Sequence, residues 1–232
     1  MVTTRRKLPR IAKKDNIYKQ PQILKWEKAK YYKKSTFPQI KKEINNNIVS
    51  SLNNRARRAI VLDDQNFTFS GKLFAENSSI HVDVCENNEE ALKKKKKYLI
   101  RHPIQGVVLH SSDLNLFVEK TSTRTSLIYA DFTSTLNDNL PFFSAIETNK
   151  SLFERQAVLA ITYSSRNNKR NFLNKLKSSL IDVIDDIYDV RRLAINNSIT
   201  QKQILFVFFQ KDFEVVEEYA YPPMHSVIFK KK

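Results

Sequence analysis

IVLDDQNFTFSGKL, residues 60–73, is a short apolar run, two aspartates and a polar turn with one glycine at its far end. An apolar run of that length suits a strand buried on both faces, and a short helix is expected from Phe69 to Glu76. The same alternation continues to either side. IHVDVC (80–85) reads as a second strand, and NNEEALKKKKKYLIR as a helix opened by Asn and Glu and closed by Lys and Arg, the order that the helix dipole favours. GVVLH (106–110) and TSLIYA (125–130) are the third and fourth strands, PFFSAIETNKSLFERQ a helical interval, and AVLAITYS (157–164) the fifth strand. A long amphipathic helix is expected over 169–195, then strands QILFVFF (203–209) and HSVIF (225–229). DFEVVEEYAYPP, between them, is too acidic and proline-bound for a crossover helix, so the seventh strand is expected to pair antiparallel with the sixth.

Strands alternating with helices imply a parallel sheet covered on both faces. The expected fold is therefore α/β: a seven-stranded Rossmann-like sheet with a terminal antiparallel hairpin over 59–232, preceded by a basic, partly helical N-terminal arm over 1–58. In the arm, PQILKWEKAKYYKK and PQIKKEINNNIVSSLNNRARR look helical, and Ile40, Ile44, Ile48 and Leu52 recur on one face of the second.

The charge is lopsided. The 232 residues carry 40 Lys and Arg against 24 Asp and Glu, a net +16. Residues 1–58 hold 17 of the basic residues and three acidic ones, and the remainder is nearly neutral. Such an arm is expected to meet a polyanion, DNA or RNA. The residues assigned to that contact are Arg5, Arg6, Lys7, Arg10, Lys13, Lys14, Lys25, Lys33, Lys34, Arg55, Arg57 and Arg58, with Arg166, Lys169 and Arg170 beyond the fifth strand. Trp26, Tyr31, Tyr32 and Phe37 interleave the arm's charges, either to stack on bases or to pack its helices. The five lysines of ALKKKKKYLI cannot all face one way; most are solvated, and a polyanion groove is the secondary reading. TRRKLPRIAKK reads either as a nuclear localisation signal or as part of the same basic surface.

One cysteine, Cys85, removes any internal disulfide and every multi-cysteine metal site, and the four histidines form no close ligand pair, so no metal is expected. No apolar run approaches a membrane span, and an intracellular protein is the expectation.

The strand order and the acidic residues at successive strand ends resemble the class I S-adenosylmethionine-dependent methyltransferase family over residues 59–232. The resemblance implies roles for Asp63 and Asp64 after the first strand, Glu86 on the ribose after the second, Asp113 near the adenine after the third, and Asp131 as the substrate-binding or catalytic residue after the fourth. Ligands of open α/β sheets bind at the carboxyl ends of the strands, so these acids point to one crevice. Helix capping is the competing role for Asp113 and Asp131.

The family's first loop is glycine-rich. Here only Gly71 is near, and the whole chain has two glycines where average usage gives roughly sixteen. Gln65, Asn66, Phe67 and Phe69 are expected to crowd a bound donor, with Asn66 the residue suited to positive φ. The Asp/Asn-Pro-Pro-aromatic loop of amino-group methyltransferases is represented by Asp131 and Phe132 without the prolines, and Cys85, with no proline before it, is expected to point away from the crevice. The missing glycines and prolines favour a non-catalytic, nucleic-acid-binding subunit that docks on a catalytic methyltransferase chain. The retained acids favour an active S-adenosylmethionine-dependent enzyme on DNA or RNA. The cofactor is accordingly none or S-adenosylmethionine.

Overall fold

The apolar runs become a parallel sheet because strands buried on both faces have no polar side to alternate with and need helices to cover them. The structure, a computed structural model, describes residues 30–31, 37–164, 205, 209, 211–221 and 223–232. Its elements are β1 (Lys30–Tyr31), α1 (Phe37–Ser51), β2 (Arg58–Val61), α2 (Thr68–Glu76), β3 (His81–Glu86), α3 (Glu89–Arg101) and β4 (Val107–Ser111). They continue with α4 (Leu114–Lys120), β5 (Thr125–Thr135), α5 (Leu140–Thr148), β6 (Phe153–Ser164), β7 (Phe213–Tyr221) and β8 (Met224–Lys231).

The sheet order is β1-β7-β8-β6-β5-β2-β3-β4. Strands β2 to β6 are parallel, and β8 runs antiparallel between β6 and β7. The seven-stranded sheet with an antiparallel terminal hairpin is thus present, with the two residues of β1 added beside β7. One core lies under α1, α2 and α3 and contains Ile44, Val61, Phe67, Phe69 and Tyr129. The other lies under α4 and α5 and contains Ile60, Leu114, Ile128, Phe142 and Phe143.

The hairpin is not where the sequence places it. Leu205 and Phe209 are helical, four residues apart, and both are buried against the α5 side of the sheet, Phe209 with its ring centroid 5.4 Å from that of Phe229. A short apolar run does not distinguish a buried strand from a buried helix face. Phe206, Val207 and Phe208 lie outside the described residues, as does the helix expected over 169–195. The acidic segment forms β7 instead. Its first half is partly exposed, with Glu214 in solvent and Glu217 half-buried where it accepts from Asn47 Nδ2 of α1, and Pro223 falls between the strands rather than inside one.

Three further expectations change. The helix expected through Gln156 ends at Thr148, and β6 starts at Phe153 with Gln156 at φ 64 where the β5–β6 register slips. Lys30 and Tyr31, expected in a helix, pair as strand with Tyr219 and Ala220. Finally, α1 belongs to the folded body: Ile40, Ile44 and Ile48 are at most 1% exposed. Burying each contributes about 1.5–3 kcal/mol, enough to fix a helix that is marginal alone. The body therefore begins no later than Phe37, not at residue 59.

The two glycines have opposite standing. Gly106 precedes β4 at φ 76, and a Cβ there would lie 2.8 Å from the Ile80 carbonyl oxygen, so the turn requires glycine. Gly71 sits inside α2 with open space where a Cβ would go. Gly71→Ala is expected to stabilise the protein by about 0.5–1 kcal/mol, raising the midpoint of a thermal melt by a few degrees. A lower midpoint would contradict the open space.

Candidate functional site

Strands β2, β3, β4 and β5 end side by side, and β2 and β5 flank the point where the strand order reverses. A cleft of about 520 Å³ opens there, within the range of roughly 300–1,000 Å³ usual for small-molecule sites. Asp63, Glu86, Asp113 and Asp131 all line it, the first three from the ends of β2, β3 and β4 and Asp131 from inside β5, which runs on to Thr135 instead of ending at Ala130. The four acids singled out in the sequence therefore share one crevice, each with a different set of partners.

Asp63 is turned into the first turn of α2. Its carboxylate accepts from the amides of Asp64, Phe69 and Ser70 and from Ser70 Oγ at 2.6–3.2 Å. Burial pushes its carboxyl above the usual range despite those bonds. Asp64 accepts from the amides of Asn66 and Thr68. Between them the two aspartates occupy amides that a glycine-rich loop would offer to a ligand.

Glu86 accepts from the Asn88 amide at 2.9 Å and from Lys95 Nζ at 2.8 Å. The Lys95 side chain is only 3% exposed, and it lines the cleft. This lysine was not singled out in the sequence, although its position on the buried face of α3 with Leu92 and Leu99 was a readable signal: an ammonium on an apolar stripe requires an acid beneath it. Asp113 stands at the N-cap of α4 but its side chain caps nothing; it accepts from Asn87 Nδ2 and faces the cleft. The capping alternative fails for this residue. Asp131 pairs with Lys41 of α1, whose ammonium also lies 5.3 Å from the centre of the Tyr129 ring. It caps no helix; its neighbour Phe132 lines the cleft and packs edge-on against Phe142 at 5.2 Å.

The expected obstruction is absent. Phe67, not Asn66, takes the positive φ (53°). Its ring is fully buried beneath α2 and α3, 5.9 Å from Tyr98, on the far side of the sheet from the cleft core. The left-handed backbone costs roughly 1–2 kcal/mol and the buried ring offsets it. Gln65, Asn66 and Phe69 do not line the cleft either, nor does Gly71. Cys85 does line it, contrary to expectation, but burial pushes its thiol up to about 12, which disfavours the thiolate.

Of the basic residues assigned to nucleic acid, the described ones, Arg55, Arg57 and Arg58, do not line the cleft. Arg55 and Arg57 are exposed at the opposite end of the sheet, before β2. Arg58 is structural: Nε bonds Asp83 at 2.6 Å and Nη1 bonds Thr121 Oγ1 and the Thr123 carbonyl. Asp83 also meets His110 at 2.7 Å and His81 at 3.3 Å. Arg5, Arg6, Lys7, Arg10, Lys13, Lys14, Lys25, Lys33, Lys34, Arg166, Lys169 and Arg170 lie outside the described residues. Among the described residues no group of His, Cys, Asp and Glu suits a metal ion, and no helix is long and apolar enough to cross a membrane.

No protein-family model and no curated protein sequence matches the chain. Its structure is similar to NodS, an N-methyltransferase from Bradyrhizobium japonicum WM9, with TM-score 0.53 and 11% identity over 85% of this chain and 97% of that one. It is similar also to a protein assigned as an rRNA methylase from Clostridium thermocellum, with TM-score 0.54 and 9% identity over 82% and 96%. An O-methyltransferase family protein from Burkholderia thailandensis matches with TM-score 0.52 and 13% identity over 85% and 56%. With its strand order, its inserted antiparallel strand and its cleft at the reversal point, the chain has the fold of the class I S-adenosylmethionine-dependent methyltransferases.

Proposed function

We propose that the protein is an S-adenosylmethionine-dependent methyltransferase acting on nucleic acid. The observation that supports this reading is the convergence of Asp63, Glu86, Asp113 and Asp131 on one open cleft with Phe67 removed from it. A donor carrying a sulfonium, an amino group and ribose hydroxyls suits a cleft rich in carboxylates. Glu86, with lone pairs left after two hydrogen bonds, would hold the ribose, and Asp113 the adenine edge. The bound donor would supply a methyl group on a sulfonium centre. Asp131, held by Lys41, would orient the acceptor and take up its proton. The acceptor class follows from the net +16 charge and the cationic arm.

A second reading, the non-catalytic subunit docking on a catalytic partner, is favoured by the amides that Asp63 and Asp64 occupy and by the neutralisation of Asp131. Calorimetric titration of the intact chain with S-adenosylmethionine separates the two. Micromolar binding is expected, together with transfer of labelled methyl groups to RNA or DNA. A folded sample that gives no heat would sink the donor-binding reading, and binding without transfer would leave the subunit.

A further inference from the structure

Helix α3 uses its lysines unevenly. Lys95 turns inward to Glu86, and Lys94 pairs with Glu90 at 2.7 Å. Lys93, Lys96, Lys97 and Arg101 are exposed, and none has an acidic partner among the described residues. At 3.6 residues per turn these four share one face about 140° wide, and Ile100, 80% exposed, sits in the middle of it. The segment that looked in the sequence like a dispersed run is therefore a stripe.

The stripe is unfavourable without a partner. Lys93 with Lys97, and Lys97 with Arg101, are like charges one turn apart, and each pair is mutually destabilising. The helix dipole favours cations only in the last turn, so it accounts for Arg101; Glu89 stands one turn before Lys93, and neither effect accounts for Lys96 and Lys97.

We propose that this face of α3 docks the phosphate backbone of a nucleic-acid duplex beside the cleft. The partner follows from the residues present. Three of the four are lysines, point charges for phosphate rather than bidentate readers of bases. The large apolar side chains exposed among the described residues are Ile100, Val108, Leu116 and Val216, with no aromatic among them to stack on unpaired bases. Lys93 to Arg101 spans about 12 Å of helix, and a duplex carries one charge per roughly 1.7 Å of its axis, so each cation can meet a phosphate. The position also fits. Asn88 caps α3 and its amide bonds Glu86, so the stripe begins little more than a turn beyond the cleft rim. A duplex laid along it passes the cleft mouth.

This inference rests on the reading that the acceptor is nucleic acid, and the test keeps the two apart. Fluorescence anisotropy with 20-base-pair DNA and RNA duplexes would be read across a salt series for three intact chains. These are the wild type, the variant Lys93→Gln/Lys96→Gln/Lys97→Gln/Arg101→Gln, and a control with the same charge change elsewhere, Lys120→Gln/Arg124→Gln/Lys211→Gln/Lys232→Gln. Circular dichroism melts check that all three fold. If all four side chains neutralise phosphates, the log–log salt slope of the α3 variant is expected to fall by about 3.6 while the control changes little. An α3 variant that keeps the wild-type slope, or loses no more than the control, overturns the docking surface while leaving the acceptor class intact. A wild type that binds no duplex overturns both. Loss of binding to phosphatidylserine vesicles with duplex binding unchanged would assign the stripe to a membrane surface instead and overturn it equally.

Discussion

Asp83→Ala is expected to remove about 3–5 kcal/mol of folding stability, a large part of what a single domain possesses. The Asp83 side chain is 3% exposed and lies on β3 against Arg58, itself 13% exposed on β2. Deleting the carboxylate leaves a guanidinium in the sheet with only Thr121 and the Thr123 carbonyl as acceptors, and strips His110 and His81 of the same oxygen. The penalty comes from the orphaned charge more than from the lost attraction, so Arg58→Met combined with Asp83→Leu should recover most of the stability. Urea unfolding of the wild type and these two variants measures this directly, and a loss below about 1 kcal/mol for Asp83→Ala would mean that water reaches Arg58. Because Arg58 is committed inside the fold, Arg58→Met should leave the salt slope of duplex binding unchanged. That outcome separates its role from the phosphate contact assigned to it by the charge count alone.

The parallel half of the fold was legible because its strands carry short, mostly apolar runs with an acid at or near the end of each. AIVL and LIYA are buried on both faces as such runs predict, whereas VVLH forms the edge strand β4, with Val108 exposed. The C-terminal third was harder. ILFVFF and EVVEEYAY differ in the wrong direction for simple hydrophobicity, since the more apolar segment places Leu205 and Phe209 on a helix and the more acidic one is a strand. An edge-side strand tolerates carboxylates on its solvent face, and which segment occupies that place is settled by the sheet, not by local composition.

The site shows the same division. Strand-end acids were legible since topology alone directs them to the crevice. Their partners were not: Lys41 and Lys95 come from helices 90 and nine residues away from the acids they meet, and only packing brings them in. Phe67 was misplaced because sequence says which residues occupy a turn but not which side of the sheet a ring there will enter. The positive φ at Phe67 turns the ring toward Tyr98 and leaves the cleft open.

Glu86 and Lys95 give the sharpest test of the cleft. Glu86→Ala should weaken binding of S-adenosylmethionine by about 10- to 150-fold, the worth of one hydrogen bond to a charged group. The same change strands the Lys95 ammonium, whose side chain is 97% covered, and should cost roughly 3–5 kcal/mol of stability. A fall in affinity alone is therefore ambiguous, because a loosened α3 would also weaken binding. Adding Lys95→Met removes the stranded charge and fills its place with a side chain of similar length, so the double variant should regain stability in urea while affinity stays low in calorimetry. The two readouts then move independently, as expected if the carboxylate contacts the ligand and does not merely brace the helix. A double variant that binds as tightly as the wild type would show that the donor does not use the β3 tip, and the assignment of Glu86 would fall with it.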